Sequence, residues 1–90
     1  MAEQRIGNLR VDYDEHGDVL YISLGDPEAL PRNDEDHGFI VARKNGNIVA
    51  VTILDYEDNF RKMADISWLS DLRLPQELFD YLEKRPIPPM

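Results

Sequence analysis

The architecture of this chain follows from one run of residues, Asp18-Val19-Leu20-Tyr21-Ile22-Ser23-Leu24. Successive side chains of an extended strand point to opposite faces, so Val19 and Tyr21 share one face and the aliphatic residues between and after them share the other. Both faces are therefore apolar. A strand with one solvated face alternates apolar and polar residues, whereas this pattern predicts a central strand that is covered on both sides.

A hairpin is predicted on the N-terminal side of this strand. Leu9, Val11 and Tyr13 alternate with charged residues, which is the period of a half-buried strand. Gly17 lies in the intervening turn and can adopt the positive φ that a tight hairpin needs. We therefore expect two antiparallel strands, with Tyr13 and Tyr21 on the same face of the sheet if the register is regular.

A second hairpin is predicted farther along the chain. Asn45-Gly46 separates two apolar runs, residues 39–43 and 48–54, and both turn residues tolerate the left-handed conformation of a type I′ turn. The second run is again apolar on both faces, so it is expected to lie beside the central strand or to share its covering surface. Residues 25–36, between the hairpins, contain two prolines and an acidic run that are typical of a loop.

The hydrophobic period changes after residue 55. Tyr56, Phe60 and Met63 recur at the spacing of an amphipathic helix, and residues 76–84 carry a second apolar stripe behind Pro75, a residue that favours helix starts. Trp68 is expected to be a core residue beneath these helices. Together the patterns predict an α+β fold, namely a small antiparallel four-stranded β-meander of two hairpins with C-terminal helices packed on one face.

Length and composition restrict the classes of function. The 90 residues are expected to form a single domain, with the meander in 9–55, the helical part in 56–85 and a tail in 86–90. The net charge of −8 argues against binding to nucleic acids or anionic membranes and favours a basic protein partner. The chain has no cysteine, so extra stability must come from packing or oligomerisation. No apolar run reaches the roughly 18 residues of a membrane span, so a cytoplasmic protein is expected.

Several spaced motifs resemble one protein family. They are Tyr13-Asp14, Asp18-Val19-Leu20-Tyr21-Ile22, Gly38-Phe39-Ile40-Val41 and Ile48-Val49-Ala50-Val51-Thr52-Ile53-Leu54-Asp55. Over about residues 9–55 they resemble short uncharacterised prokaryotic proteins that share a domain of unknown function with a Tyr-Asp, Asp-x-Leu-Tyr-Ile, Ile-Leu-Asp signature. The resemblance implies a four-stranded meander with no assigned activity, and for some members a neighbouring toxin-like protein. Ala50 stands where the family often has Gly, and residues 56–90 lie beyond the signature.

Two groups of polar residues are candidates for a site. Asp34, Asp36 and His37 combine carboxylates with an imidazole, which are donors that suit zinc or manganese, but their spacing fixes no geometry and a solubilising polar loop is the simpler interpretation. Residues 12–17 begin like a calcium loop, but Ser23 occupies the position of the required bidentate Glu. No cofactor is therefore expected.

The aspartates at strand ends have a structural interpretation. Asp14, Asp18 and Asp55 occupy positions at which turn formation and capping are the usual roles of Asp. We therefore expect these three residues to shape the fold.

The second dry face of the central strand predicts self-association, most simply as a two-fold dimer. The expected interface residues are Tyr13, Val19, Tyr21, Val49 and Val51. The predicted function is a non-enzymatic oligomeric protein-interaction or regulatory module, on the pattern of an antitoxin. The alternative is a small-molecule or divalent-metal-binding domain that uses the acidic loop 25–37. An enzyme assembled across a dimer interface ranks last, because no catalytic constellation is recognisable.

Overall fold

One antiparallel sheet of six strands organises the computed structural model, which describes residues 2–25, 32–34 and 38–89. The strands are β1 (Ala2–Ile6), β2 (Leu9–Asp14), β3 (Val19–Leu24), β4 (Arg32–Asp34), β5 (Phe39–Lys44) and β6 (Asn47–Leu54). Two 3-10 helices, Phe60–Lys62 and Ser67–Leu72, and the helix α1 (Gln76–Lys84) follow. The strand order across the sheet is β1-β2-β3-β6-β5-β4.

The two strands that are apolar on both faces form the centre of the sheet. β3 pairs antiparallel with β6, so the expectation that these strands are neighbours is confirmed. Both predicted hairpins are also present, as β2–β3 and β5–β6. The predicted order of strands is wrong, because a meander would place β5 beside β3. Pairing the two most apolar strands instead gives each of them a hydrogen-bonded neighbour on both sides.

The sheet also has two edge strands that the predicted four-stranded sheet lacks. β1 pairs with β2, and the three-residue β4 pairs with β5. The sequence of β1, Ala-Glu-Gln-Arg-Ile, is mostly polar and carries little strand signal. β4 is short and overlaps the acidic run that indicated a loop. Exposed edge strands need no apolar alternation, which is why periodicity missed both.

The turns determine how the strands face one another. Asn45 has φ 54° and Gly46 has φ 83°, as the predicted type I′ turn requires. In the first hairpin, the left-handed residue is Asp18, with φ 56°, and the prediction of a positive φ at Gly17 is wrong. The resulting register pairs Tyr13 with Leu20 and Asp12 with Tyr21. Tyr13 and Tyr21 therefore lie on opposite faces, because a shift of one residue exchanges the faces of a strand.

The core lies on one face of the sheet, beneath the C-terminal part of the chain. Two rows of paired side chains form its floor: Val11, Ile22, Val51 and Val41 in one, and Tyr13, Leu20, Ile53 and Phe39 in the other. Phe39 packs against Phe60 and Trp68, with ring centroids 5.5 and 4.9 Å away. Leu78 and Leu82 of α1 are fully buried in the same cluster. The prediction of helices packed on one face is confirmed.

The helical region differs in detail from its predicted pattern. The helix expected from Tyr56 to Met63 is a turn followed by the 3-10 helix Phe60–Lys62. The chain must leave β6 and fold back over the sheet within a few residues, and the tighter 3-10 turn does this while burying Tyr56 and Phe60 completely. α1 spans the residues predicted for it, with Pro75 immediately before its first turn.

Two buried tyrosines differ in their hydrogen bonding. The Tyr56 hydroxyl donates to the Pro86 carbonyl at 2.6 Å and so ties the C-terminal segment to the core. The Tyr81 hydroxyl is buried and has no hydrogen-bond partner in the described part of the chain. A buried polar group without a partner destabilises the fold, whereas a satisfied one contributes modestly to stability.

This difference predicts opposite effects of the same substitution. We expect Tyr56→Phe to lower the free energy of unfolding by about 1 kcal/mol, because it removes a made hydrogen bond. Tyr81→Phe should leave the free energy of unfolding unchanged or raise it by up to about 1 kcal/mol, because it removes a buried hydroxyl that has no hydrogen-bond partner. Urea denaturation of the two variants beside the parent protein measures both effects, and equal losses in the two variants would contradict the assignment.

Candidate functional site

The Asp18 carboxylate lies where three segments of the chain meet. Its Oδ1 accepts hydrogen bonds from the Tyr13 hydroxyl at 2.7 Å and from the backbone N–H of Glu57 at 2.9 Å. Its Oδ2 accepts the backbone N–H of Asp58 at 3.0 Å. The carbonyl of Asp18 accepts the N–H of Tyr56, also at 3.0 Å. One residue therefore joins the β2–β3 hairpin to the chain that leaves β6.

Local backbone geometry makes this junction possible. The left-handed conformation of Asp18 turns its carboxylate away from β3, and Asp is one of the few L residues that adopt this conformation readily. Tyr13 approaches from β2, where it is buried with 5% of its surface exposed. Its ring meets the Tyr56 ring edge to face, with centroids 6.4 Å apart, so packing fixes the position of its hydroxyl.

The electrostatics of the junction give Asp18 a fixed negative charge. Burial alone would raise the pKa of its carboxyl group, but the hydrogen bonds from Tyr13 and the two backbone N–H groups, together with nearby Lys62, lower that pKa below its ordinary value. Burial, and then the hydrogen bond to Asp18, raise the pKa of Tyr13. At neutral pH the pair is a carboxylate and a neutral phenol. It therefore suits a structural anchor better than a proton-transfer site.

The other strand-end aspartates also shape turns. Asp14 Oδ1 accepts the N–H of His16 at 3.1 Å and that of Gly17 at 3.4 Å, which closes the first hairpin. Asp55 is left-handed, with φ 54°, and its carbonyl accepts the N–H of Asn59 at 2.7 Å. The predicted structural roles of Asp14, Asp18 and Asp55 are confirmed. The main chemical feature of the junction, a carboxylate that accepts hydrogen bonds from residues about 40 positions away, is not predicted from the sequence.

The face of the sheet opposite the core, which we call the open face, carries an apolar patch at the end next to the β2–β3 turn. Val19 lies directly across from Leu54, and Tyr21 and Ile40 flank Thr52 in the next row. Tyr21 is 36% exposed and Leu54 is 41% exposed. Farther along the strands on the same face, Ser23, Ala50, Ala42 and Thr52 are buried, so the exposed large apolar side chains are those of Tyr21 and Leu54. Exposed apolar side chains that lie together are typical of a surface that contacts another molecule.

The predicted interface residues divide between the two faces. Val19 and Tyr21 lie on the open face. Tyr13 and Val51 are buried in the core, and Val49 is half-buried beside a register shift in the β5–β6 pairing. The β2–β3 register separates Tyr13 from Tyr21, and the β3–β6 register pairs Val51 with Ile22 and so places it in the core. Contact of these residues with another molecule stays a prediction.

The predicted metal residues are only partly within the described chain. Asp36 and His37 lie outside the described residues, and Asp34 is placed only as part of the backbone of β4. Within residues 2–25, 32–34 and 38–89, no three His, Asp or Glu side chains are grouped closely enough to hold a metal ion. Over the same ranges, no helix has the length and apolar composition of a membrane crossing.

The sheet, its single helix-covered face and the Asp18 junction define a small α+β domain built on two antiparallel hairpins. A family described as "Protein of unknown function (DUF2283)" matches residues 10–56, which is just over half of the 90-residue chain. The chain belongs to this family. The matched range includes most of β2 and all of β3, β5 and β6. It contains Tyr13, Asp18 and Tyr56 of the junction, whereas the backbone donors Glu57 and Asp58 lie just beyond it. Comparison with curated proteins and with solved structures gives no match.

The junction makes a prediction about acid stability. Asp18→Asn keeps the left-handed preference but loses the charge, and it turns an amide donor toward the backbone donors. We expect the free energy of unfolding at pH 7 to fall by about 2 kcal/mol, because hydrogen bonds to a charged group are lost. Since the pKa of Asp18 is lowered by folding, its contribution is complete above about pH 4 and is lost as the pH falls through the folded-state pKa.

The measurement is urea denaturation of both proteins at pH 7 and pH 3. The deficit of the variant should shrink at the lower pH. Asp71→Asn is the matched control, because it removes the same charge at an exposed position of the Ser67–Leu72 helix. A deficit that is equal at both pH values would show that the charge of Asp18 does not stabilise the junction.

Proposed function

We propose that this protein is a non-enzymatic, homo-oligomeric interaction module that acts by binding other proteins. The observation that carries the proposal is the apolar patch on the open face, formed by Val19, Tyr21, Ile40 and Leu54. The C-terminal helices pack on the other face, so nothing described from the helical part covers these side chains. A second copy of the chain is the partner that we assign to this surface.

The charges around the open face favour self-association over a charged ligand. On its β1–β2 side, Arg10 Nε lies 2.6 Å from a carboxylate oxygen of Glu3 and 3.1 Å from one of Asp12. Arg5 Nε lies 3.7 Å from the same Glu3 carboxylate, so two guanidinium groups and two carboxylates balance within one chain. The apolar patch is then the part that gains from being covered, and a two-fold axis through it places like surfaces together.

The signature residues support a binding role over a catalytic one. Tyr13, Asp14 and Asp18 are three of the polar side chains of the signature, and each is used in hydrogen bonds that hold the fold together. Because these polar groups are used in hydrogen bonds within the fold, they are not available for catalysis. We therefore favour a role in which the protein binds a partner through its surface. We extend the proposal to a regulatory role of the antitoxin type in the cytoplasm of a prokaryote, with a basic protein partner, in view of the net charge of −8.

The proposal predicts a dimer that a single substitution dissociates into monomers. Light scattering coupled to size exclusion, at micromolar concentration, should give about twice the chain mass of 10.4 kDa. Tyr21→Lys should give a folded monomer, because a charge at the centre of an apolar interface opposes association. Val51→Asp should instead unfold the protein, because Val51 is fully buried in the core.

A charge control and a folding control test whether the effect of Tyr21→Lys is specific to the open face. Glu83→Gln changes the net charge by the same amount as Tyr21→Lys but lies on the exposed side of α1, and it should remain dimeric. Circular dichroism confirms that Tyr21→Lys is folded. A parent protein that is monomeric at micromolar concentration, or a Tyr21→Lys variant that stays dimeric, would overturn the assignment of this face.

A further inference from the structure

A cavity of about 370 Å³ lies between the β1–β2 turn and α1, away from the open face. Its walls are mostly apolar and include Ile6, Leu9, Tyr81 and Pro86. Leu9 and Tyr81 are buried, whereas Ile6 is 41% exposed, so the cavity opens to solvent on the Ile6 side. This volume lies within the range of sites that hold small ligands or several side chains of a partner.

The rim of the cavity carries negative charge that is held in place by neutral groups. Glu77 accepts hydrogen bonds from the backbone N–H of Asn8 at 3.3 Å and from its side-chain amide at 3.2 Å. Asp80 accepts the side-chain amide of Gln76 at 2.7 Å. Amides orient a carboxylate without neutralising it. With Lys84 as the one cation among the lining residues, the described rim has an excess of one negative charge.

Tyr81 contributes to the apolar wall of the cavity. Its hydroxyl is buried and has no hydrogen-bond partner within the described residues, and burial raises the pKa of this hydroxyl, so it is neutral at physiological pH. Because the hydroxyl has almost no accessible surface, Tyr81 offers an occupant of the cavity only apolar contact.

We propose that this cavity binds an apolar side chain from a basic segment of a partner protein, with Lys or Arg residues beside that anchor pairing with Glu77 and Asp80. The apolar walls favour an apolar side chain of the partner, and the acidic rim favours Lys or Arg residues next to that side chain. The site deepens the proposed partner-binding role and rests on it, but it does not depend on the dimer. The cavity lies on the core side of the sheet, so a basic partner and a second copy can bind at the same time.

The experiment uses the full chain and three labelled hexapeptides. The probe is Lys-Arg-Leu-Leu-Arg-Lys, and its controls are Lys-Arg-Ser-Ser-Arg-Lys and Glu-Glu-Leu-Leu-Glu-Glu. Fluorescence polarisation at near-physiological salt gives the affinities. Burial of the leucines should make the probe bind about tenfold more tightly than the serine peptide. The acidic peptide should bind more weakly than both.

Amide shift mapping by NMR locates the binding. The probe should shift the amides of Gly7, Leu9, Asp80 and Tyr81, which belong to the cavity lining. Shifts centred on Tyr21 and Leu54 would overturn the proposal and assign the basic partner to the open face. Equal binding of the leucine and serine peptides would also overturn it, because it would indicate charge attraction without an anchor. No binding up to about 1 mM would do the same.

Paired variants test the rim and the wall. The double substitution Glu77→Gln and Asp80→Asn should weaken binding of the probe about threefold, because two exposed ion pairs are lost. Asp71→Asn with Glu83→Gln removes the same charge from exposed positions outside the lining and should change affinity by less than about 1.5-fold. Ile6→Ser, at a partly exposed position of the cavity wall, should weaken binding of the leucine probe and leave binding of the serine peptide unchanged. Equal effects of the two charge pairs would refute the acidic rim, whatever the dimer test gives.

Discussion

The bonds that Asp18 makes to the chain after β6 are the interaction on which the rest of the structure depends. The Asp18 carbonyl and carboxylate together accept three backbone N–H groups from residues 56–58. Those bonds set the direction in which the chain leaves β6, over the face that carries Phe39 and Val41. Tyr56 and Phe60 then reach the core, and the later helices follow them onto the same face. A hairpin turn at one end of the sheet therefore decides which of its two sides becomes the interior.

Local chemistry in the sequence was enough to predict both hairpins, the C-terminal helix and the central position of β3, whereas the predicted meander placed β6 at an edge of the sheet. Asn45-Gly46 determines its turn without help from distant residues, and Pro75 is a strong signal for the start of α1. The faces of the sheet were harder to assign, since the left-handed residue of the first turn is Asp18 and its neighbour Gly17 is the more permissive residue. The observed register pairs Tyr13 with Leu20, so the expectation from a regular register that Tyr13 and Tyr21 share a face is wrong.

The candidate sites depend on contacts between residues that are far apart in the chain. Asp18 could be recognised as a turn residue, but its hydrogen bond to Asp58 spans 40 positions and exists only because β3 pairs with β6. The cavity depends on a still longer separation, since Glu77 meets Asn8 across 69 positions. Periodicity and propensity describe neighbours in sequence, and they carry no information on which remote segments meet. The open face is partly predictable. The sequence identifies Tyr21 and Leu54 as apolar strand residues, but it does not show that they lie on the same face of the sheet.

The polar edge strand β1 has a consequence for the size of any assembly. Residues 3–7 are exposed, and the strand carries Glu3 and Arg5 on its solvent side, a composition that discourages a further strand from adding to the sheet. Growth by strand addition would be open-ended and lead to filaments. In the two-fold dimer that we propose, contact through the flat side of the sheet would close after two copies. The polar composition of β1 would favour such a closed assembly over a filament, because it disfavours the addition of strands at this edge.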